Sequence, residues 1–448
     1  MSSKNMVPRN FSRVLIGPVE VAGVAQGLQK GLAQLNISSD LVLECQHPFG
    51  YAAQEPASLL VKVWKWAGTQ ARKIPMRLLP LKGLAYACHL VLCWPVLLWA
   101  LFRYDAFVFL AGKTLTNTSL ELLLLRVLRK PVVVIFLGSD SRPPYINGAW
   151  PMSTVAAMCR ATLRQKRKVR RIERQATVCV NAPGTSHFHE RPVINWFALG
   201  LPRDVSAVAQ TVVDTKKLST TPLRIIHSPS NSAVKGTALI QAAVERLQRR
   251  GVQIELVTLK GLSNEAVLTA LQRCDLVIDQ MYSDTPMAGF AAEAALFGKP
   301  TLVGGYFARD MPSALTGMPV PPTRFVAPDL LEQALDELVC SAAARAELAD
   351  AARHFVQSEW SCQEVAGRLL RIIRGEAPAT WWYDPADVTY LAGCGLSESA
   401  AQERVRQLIN HAGIGALQVK DKPGLETAFA SWAKVQSAGA PADDGAAP

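Results

Sequence analysis

Short apolar runs alternate with longer stretches of helical periodicity through the whole middle of this chain. Residues 14–16, 41–44, 106–110, 132–136, 177–180 and 194–197 read as one series of strands. Residues 224–228, 254–258, 276–279, 301–303 and 324–326 read as a second. Continuous apolar strands separated by helices imply parallel sheets covered on both faces. Two such series predict two doubly wound α/β domains, with ligands gathering beyond the carboxyl ends of the strands. The polar, proline-bounded stretch 201–222 separates them as a linker. Helical stretches follow at 328–356 and 359–373, and then a Trp-rich piece, 377–435, without a recognised motif. Within it Ser397, Ala400, Val405, Leu408 and Ile409 read as an N-capped amphipathic helix. The composition of 436–448 is that of a disordered tail.

One part of the first domain breaks the alternation. In 60–74, Leu60, Val63, Trp64, Ala67, Ala71 and Ile74 fall on one helical face, and Lys62, Lys65, Thr69, Arg72 and Lys73 on the other. A basic amphipathic helix containing Trp is the pattern of a segment lying in a membrane interface. Residues 83–102 then run without a formal charge. Three readings are open for that run: a transmembrane helix, a wholly buried crossover helix, or a helix partly exposed to the bilayer surface together with 60–74. The segment 57–103 is therefore expected to face a membrane.

With 448 residues, 49% of them hydrophobic, the chain has the material for two cores plus an addition and is not generally disordered. Its nine cysteines are scattered, with no Cys-x-x-Cys pair, which fits neither a disulfide framework nor a zinc site and points to a reducing cytoplasm. The opening residues contain no apolar secretory core. A net charge of +12 calls for an anionic partner or surface. Zinc-finger spacing and RNA-recognition aromatics are both missing, so nucleic acid is not the expected partner. The densest basic block, 159–177, reads either as a solvated helix face or as an attractor of anionic lipid or acceptor.

Candidate chemistry concentrates in the second series. An apolar strand ending in His227 leads into a Ser/Pro/Asn turn containing Ser230 and Asn231, then Lys235, Gly236 and Thr237 as a helix begins. A lysine and backbone N–H groups at a helix start suit a diphosphate. Asp279 and Gln280 end a later strand, and Glu293 is the lone carboxylate of an Ala-rich helix preceding Gly298-Lys299-Pro300. In the first series Gly17 and Gly23 follow the opening strand, and Asp140 and Arg142 lie in the turn Gly138-Ser139-Asp140-Ser141-Arg142. Neither glycine completes a dinucleotide fingerprint.

The texts HSPSNSAVKGT, LQRCDLVIDQ and AAEAALFGKP, with RVLIGPVEVAG near the start, resemble in type and order the retaining glycosyltransferases of the two-Rossmann (GT-B) fold, over roughly 12–373. The resemblance implies two Rossmann-like domains: 1–200 on the acceptor side, and 223–358 binding a nucleotide-diphosphate sugar. It also implies a helix, 359–376, that crosses back to the first domain. Donor-binding residues would be Gly17, Gly23, His227, Ser230, Asn231, Lys235, Gly236, Thr237, Asp279, Gln280 and Glu293. Lys235 and Asp140 would serve catalysis. Arg142, Lys62, Trp64, Lys65, Arg72 and Lys73 would meet an acceptor or the membrane. No metal or further cofactor is implied. The chain departs from the family at Thr285, where a first glutamate is usual, with Asp284 one place off. Val108 and Leu110 stand where a histidine is common, and Ser230, Asn231 and Ser232 where a basic residue often precedes the lysine. The expectation is a metal-independent hexosyltransferase on the inner face of a cell membrane, acting on a lipid-linked or envelope saccharide. Two alternatives stay open: a non-catalytic scaffold of the same fold, and a sugar-nucleotide epimerase.

Overall fold

The computed structural model describes residues 11–45, 57–206 and 222–434. The expected tail and most of the expected linker lie outside the described residues.

The first sheet contains β1 (Arg13–Gly17), β2 (Ser38–Leu41), β3 (Ala106–Leu110), β4 (Val132–Ile135), β5 (Val178–Asn181), β6 (Val193–Asn195) and β12 (Trp382–Tyr383), in the order β12-β6-β5-β4-β3-β1-β2. The second contains β7 (Leu223–His227), β8 (Ile254–Thr258), β9 (Leu276–Ile278), β10 (Thr301–Gly304) and β11 (Arg324–Val326), in the order β11-β10-β9-β7-β8. Every pairing is parallel except β12 with β6. Each sheet is wound in both directions from its first strand. That places a topological switch point between β1 and β3, and another between β7 and β9, where crevices open beyond the strand ends.

The strands form where they do because β3 and β4 are buried on both faces, as covered parallel strands require. The edge strand β2 differs from expectation. Its ladder runs through Ser38, Ser39 and Asp40, and the apolar Val42 and Leu43 follow it. An edge strand tolerates polar residues, so hydrophobicity marked the segment after it.

Two apolar layers cover the first sheet. One joins β1, β3 and β4 to helix Val24–Gln34 and helix Cys362–Arg374, and continues into the second domain. The second helix packs along the first. The opposite layer is filled by helices Leu59–Lys73 and Leu79–Arg103 and, unexpectedly, by the C-terminal residues. Val405, Leu408, Leu417 and Phe429 are buried against the first sheet's helices, and the Tyr145 hydroxyl donates to the Leu417 carbonyl at 3.1 Å. Residues 377–434 are thus part of the first domain's core, and their strand β12 extends its sheet.

Helix Leu79–Arg103 occupies the crossover between β2 and β3. Its C-terminal half is built in through Cys93, Val96, Leu97, Ala100 and Leu101. Its N-terminal half leaves Leu79, Leu81, Leu84, Leu90 and Val91 exposed. The wholly buried reading is therefore corrected. The stretch Met76–Arg103 is long and apolar enough to span a membrane, and 28% of its apolar window is buried in the fold. Trp64 also needs correction. It is fully buried and stacks on His89, with centroids 5.2 Å apart, while its neighbour Trp66 is 63% exposed. Arg72 turns to Glu44, which it shares with Lys113. Lys62 and Lys73 stay exposed, and Lys65 is half-buried. In the basic helix Val155–Glu173, Arg160, Arg164 and Arg167 face solvent, but Lys166 is buried between Glu190 and Asp421.

Candidate active site

The second domain's switch point is built on the loop from Ser228 to Gly236. Asn231 shapes it: its Oδ1 accepts from the N–H groups of Ala233 and Val234 at 3.1 and 3.2 Å. The loop then closes on itself, with Lys235 N–H donating to Asn231 O, Gly236 N–H to Ala233 O and Thr237 N–H to Ser232 O, at 3.0–3.1 Å. The expectation that the N–H groups of Gly236 and Thr237 face a diphosphate is therefore corrected, because the loop's own carbonyls take them. Gly236 is required for another reason. Its φ of +69° is left-handed, and a Cβ there would lie 2.7 Å from that of Met281.

What this loop offers an anion is Lys235. Its Nζ lies 3.3 Å from Oδ1 of Asp279, which is fully buried at the end of β9. The Asp279 Oδ2 finds no partner among the described residues. A diphosphate that approaches Lys235 therefore competes with Asp279 for its ammonium group.

His227 is committed elsewhere. Its Nδ1 meets the Ile278 carbonyl and its Nε2 the Thr237 hydroxyl, both at 2.9 Å. Burial pushes its pKa down, so the ring is neutral, with Nδ1–H donating and Nε2 accepting. It braces β7, β9 and the following helix, which corrects its assignment to the donor. Gln280 donates through Nε2 to Ser283 Oγ at 2.9 Å. Ser230 and Asn231 are exposed on the loop. Glu293 is half-buried on helix Gly289–Leu296 and accepts from Asn264 Nδ2 at 3.0 Å, at the start of helix Asn264–Leu271.

Across the cleft, the loop after β1 meets the start of helix Gly289–Leu296. Arg203 ties them together, donating to Ala22 O at 2.9 Å and Gly289 O at 3.3 Å. Gly23, with φ of +80°, begins helix Val24–Gln34 on this loop. Gly17 serves packing, since a Cβ there would fall 2.1 Å from Val42 O. Glu20, not singled out in the sequence, is buried in the same loop and accepts from Gln26 N–H at 3.0 Å. Burial raises its pKa. Its signal was an acidic residue just ahead of a helix start.

Asp140 and Arg142 do not pair with each other. Both Asp140 oxygens accept from Leu137 N–H, at 3.0 and 3.1 Å, and burial raises its pKa, opposed chiefly by Lys168. Arg142 reaches over the domain boundary to Asp284. Beside this pair runs a strap from the C-terminal region. Cys394 donates N–H to Ile146 O and accepts from Gly148 N–H, while Gly395 N–H bonds Tyr282 O at 3.0 Å. A Cβ at Gly395 would sit 2.8 Å from Val234. The strap thus lies between the two domains at the mouth of the Lys235 loop. Its only sequence signal was the glycine pair Gly393 and Gly395 in a segment without periodicity.

No protein-family model matches the chain, and neither does any curated protein. Solved structures do. HepE of Anabaena, in complex with UDP and glucose, is 13% identical with a TM-score of 0.43, covering 81% of this chain and 99% of that one. An alpha-glucosyltransferase in complex with UDP and a 13-mer DNA is 12% identical with a TM-score of 0.48, covering 81% and 100%. The glycosyltransferase SnogD from Streptomyces nogalater is 16% identical with a TM-score of 0.36, covering 81% and 100%. The chain's own topology is that of two doubly wound α/β domains. Two switch-point sheets and a helix packed back onto the first domain's opening helix define it here.

Proposed function

We propose that this chain is a glycosyltransferase that takes a sugar from a nucleotide-diphosphate donor. The observation that carries the reading is Lys235 at the β7/β9 switch point, with its Nζ on the buried Asp279. Lys235 would leave Asp279 to neutralise the departing diphosphate, where a fixed cation stabilises charge as it develops. Glu293 would accept bonds from the ribose hydroxyls. The reaction needs no metal in this scheme, and retention of configuration follows the family resemblance.

The acceptor in this reading is a lipid-linked or envelope saccharide presented at the inner face of a cell membrane. The exposed apolar half of helix Leu79–Arg103, with Trp66, Lys62 and Arg77 beside it, supports a peripheral attachment. Transfer of radiolabelled sugar from UDP-, GDP- or ADP-sugars into a bacterial membrane-lipid extract tests the activity.

A second reading is a non-catalytic scaffold of the same fold. The Arg142–Asp284 pair and the strap at Cys394 favour it, because both occupy the inter-domain gap with the protein's own groups.

A further inference from the structure

A cavity of about 410 Å³ is lined by neither Lys235 nor the strap residues Gly393 to Gly395. Three walls enclose it: the ends of β5 and β6 (Pro183, Gly184, Asn195), the segment after β10 (Phe307 to Met318), and residues 380–390 of the C-terminal region. The last wall belongs to the region for which the sequence suggested no role.

Its lining combines two kinds of surface. Phe307 and Tyr390 meet edge to face with centroids 5.2 Å apart and form a rigid apolar wall, and Trp382, 42% exposed, contributes to the lining as well. Between these stand the carboxylates Asp310 and Asp387 and the hydroxyls of Ser313, Thr316 and Thr389. Asp310 is already positioned by Thr389 Oγ1, at 3.3 Å. Among the described lining residues none is a lysine, arginine or histidine.

We propose that this cavity binds a neutral saccharide. The C–H faces of a pyranose pack on aromatic rings, and its hydroxyls donate charge-assisted bonds to carboxylates. An anionic sugar or a phosphate would meet two carboxylates, and the neighbouring Arg309 is already paired with Asp329 and Glu398, so it is disfavoured. The volume accommodates a sugar of one or two rings. This site stands independently of the donor reading, because it shares neither Lys235 nor Glu293.

The test is titration of the full chain with maltose, cellobiose and diacetylchitobiose, followed by tryptophan fluorescence and saturation-transfer NMR. Glucuronic acid and glucose 6-phosphate serve as charged controls. The expected result is saturable binding of at least one neutral disaccharide with a Kd of about 1 mM or tighter, weakened about tenfold or more by Trp382→Ala and by Asp310→Asn. Asp387→Asn provides a second, surface-exposed variant, and melting temperatures establish that each variant is folded. Lys235→Ala should leave this binding unchanged, which separates it from the donor site. Absence of saturable binding by any neutral sugar overturns the proposal. So does binding that the folded variants do not weaken, or preference for the charged controls.

Discussion

Arg142 and Asp284 join the two domains through a buried ion pair in which Nε and Nη2 of the guanidinium both donate to Oδ2 of the carboxylate, the Nε bond at 2.9 Å. The remaining nitrogen, Nη1, reaches Ser139 Oγ and Asn147 Oδ1, each at 3.3 Å. Asp284 lies one place before Thr285, where the resembled family usually has a glutamate, and here its carboxylate is committed to Arg142.

Breaking one half of that pair leaves an uncompensated buried charge. Asp284→Ala and Arg142→Ala should each lower unfolding stability by about 3–5 kcal/mol, measured by urea denaturation. The paired replacement Arg142→Met with Asp284→Leu should recover most of the loss. A loss in the double variant equal to the sum of the two single losses would mean that the pair does not act as a unit.

Lys235 and Asp279 make the opposite prediction. Asp279→Asn keeps the shape but removes the charge that holds Nζ at 3.3 Å. Nucleoside diphosphate affinity should then rise, by up to about tenfold, in a calorimetric titration. A fall would mean that Asp279 positions Lys235 for the phosphate and does not compete with it.

Acid should loosen the C-terminal region. Asp421 accepts from Lys166 Nζ at 2.8 Å and also from Lys422. Burial opposes ionisation here, but these bonds outweigh it and hold the Asp421 carboxyl below the ordinary aspartate range. A depressed folded-state pKa stabilises above the unfolded value of about 3.9 and is lost as pH falls through the folded one. Unfolding stability should therefore drop below about pH 4, and Asp421→Asn should flatten that part of the profile while lowering stability at neutral pH.

How much of this was legible in the sequence follows from which forces act locally. Strands β3 and β4 could be read because burial on both faces makes them continuously apolar, whereas β2 was misplaced because an edge strand need not be. Lys235 and Asp279 were each singled out, but a contact across 44 positions leaves no periodic trace. Arg142 and Asp284, 142 apart, are the same case. Lys299 was seen only within Gly-Lys-Pro. It is buried, donating to the carbonyls of Gln272 and Cys274, and so holds a turn. Trp64 showed how a helical wheel separates two faces without saying which of them is covered by protein.

The membrane proposal rests on exposed apolar residues beside basic ones. The chain should float with vesicles of phosphatidylglycerol and phosphatidylcholine and be released by salt, since each basic residue near an anionic surface contributes about 1 kcal/mol. Leu84→Asp with Leu90→Asp, both on the exposed half of their helix, should abolish flotation without changing the melting temperature. Persistent flotation of that variant would rule out this helix as the contact.

The most direct test of the donor site is calorimetric titration of UDP, GDP and ADP into the full chain, beside Lys235→Ala and Glu293→Ala. One nucleotide should bind with a Kd of about 1–100 μM, and both variants should lose it. Binding of none of the three would contradict the glycosyltransferase reading and leave the scaffold in its place.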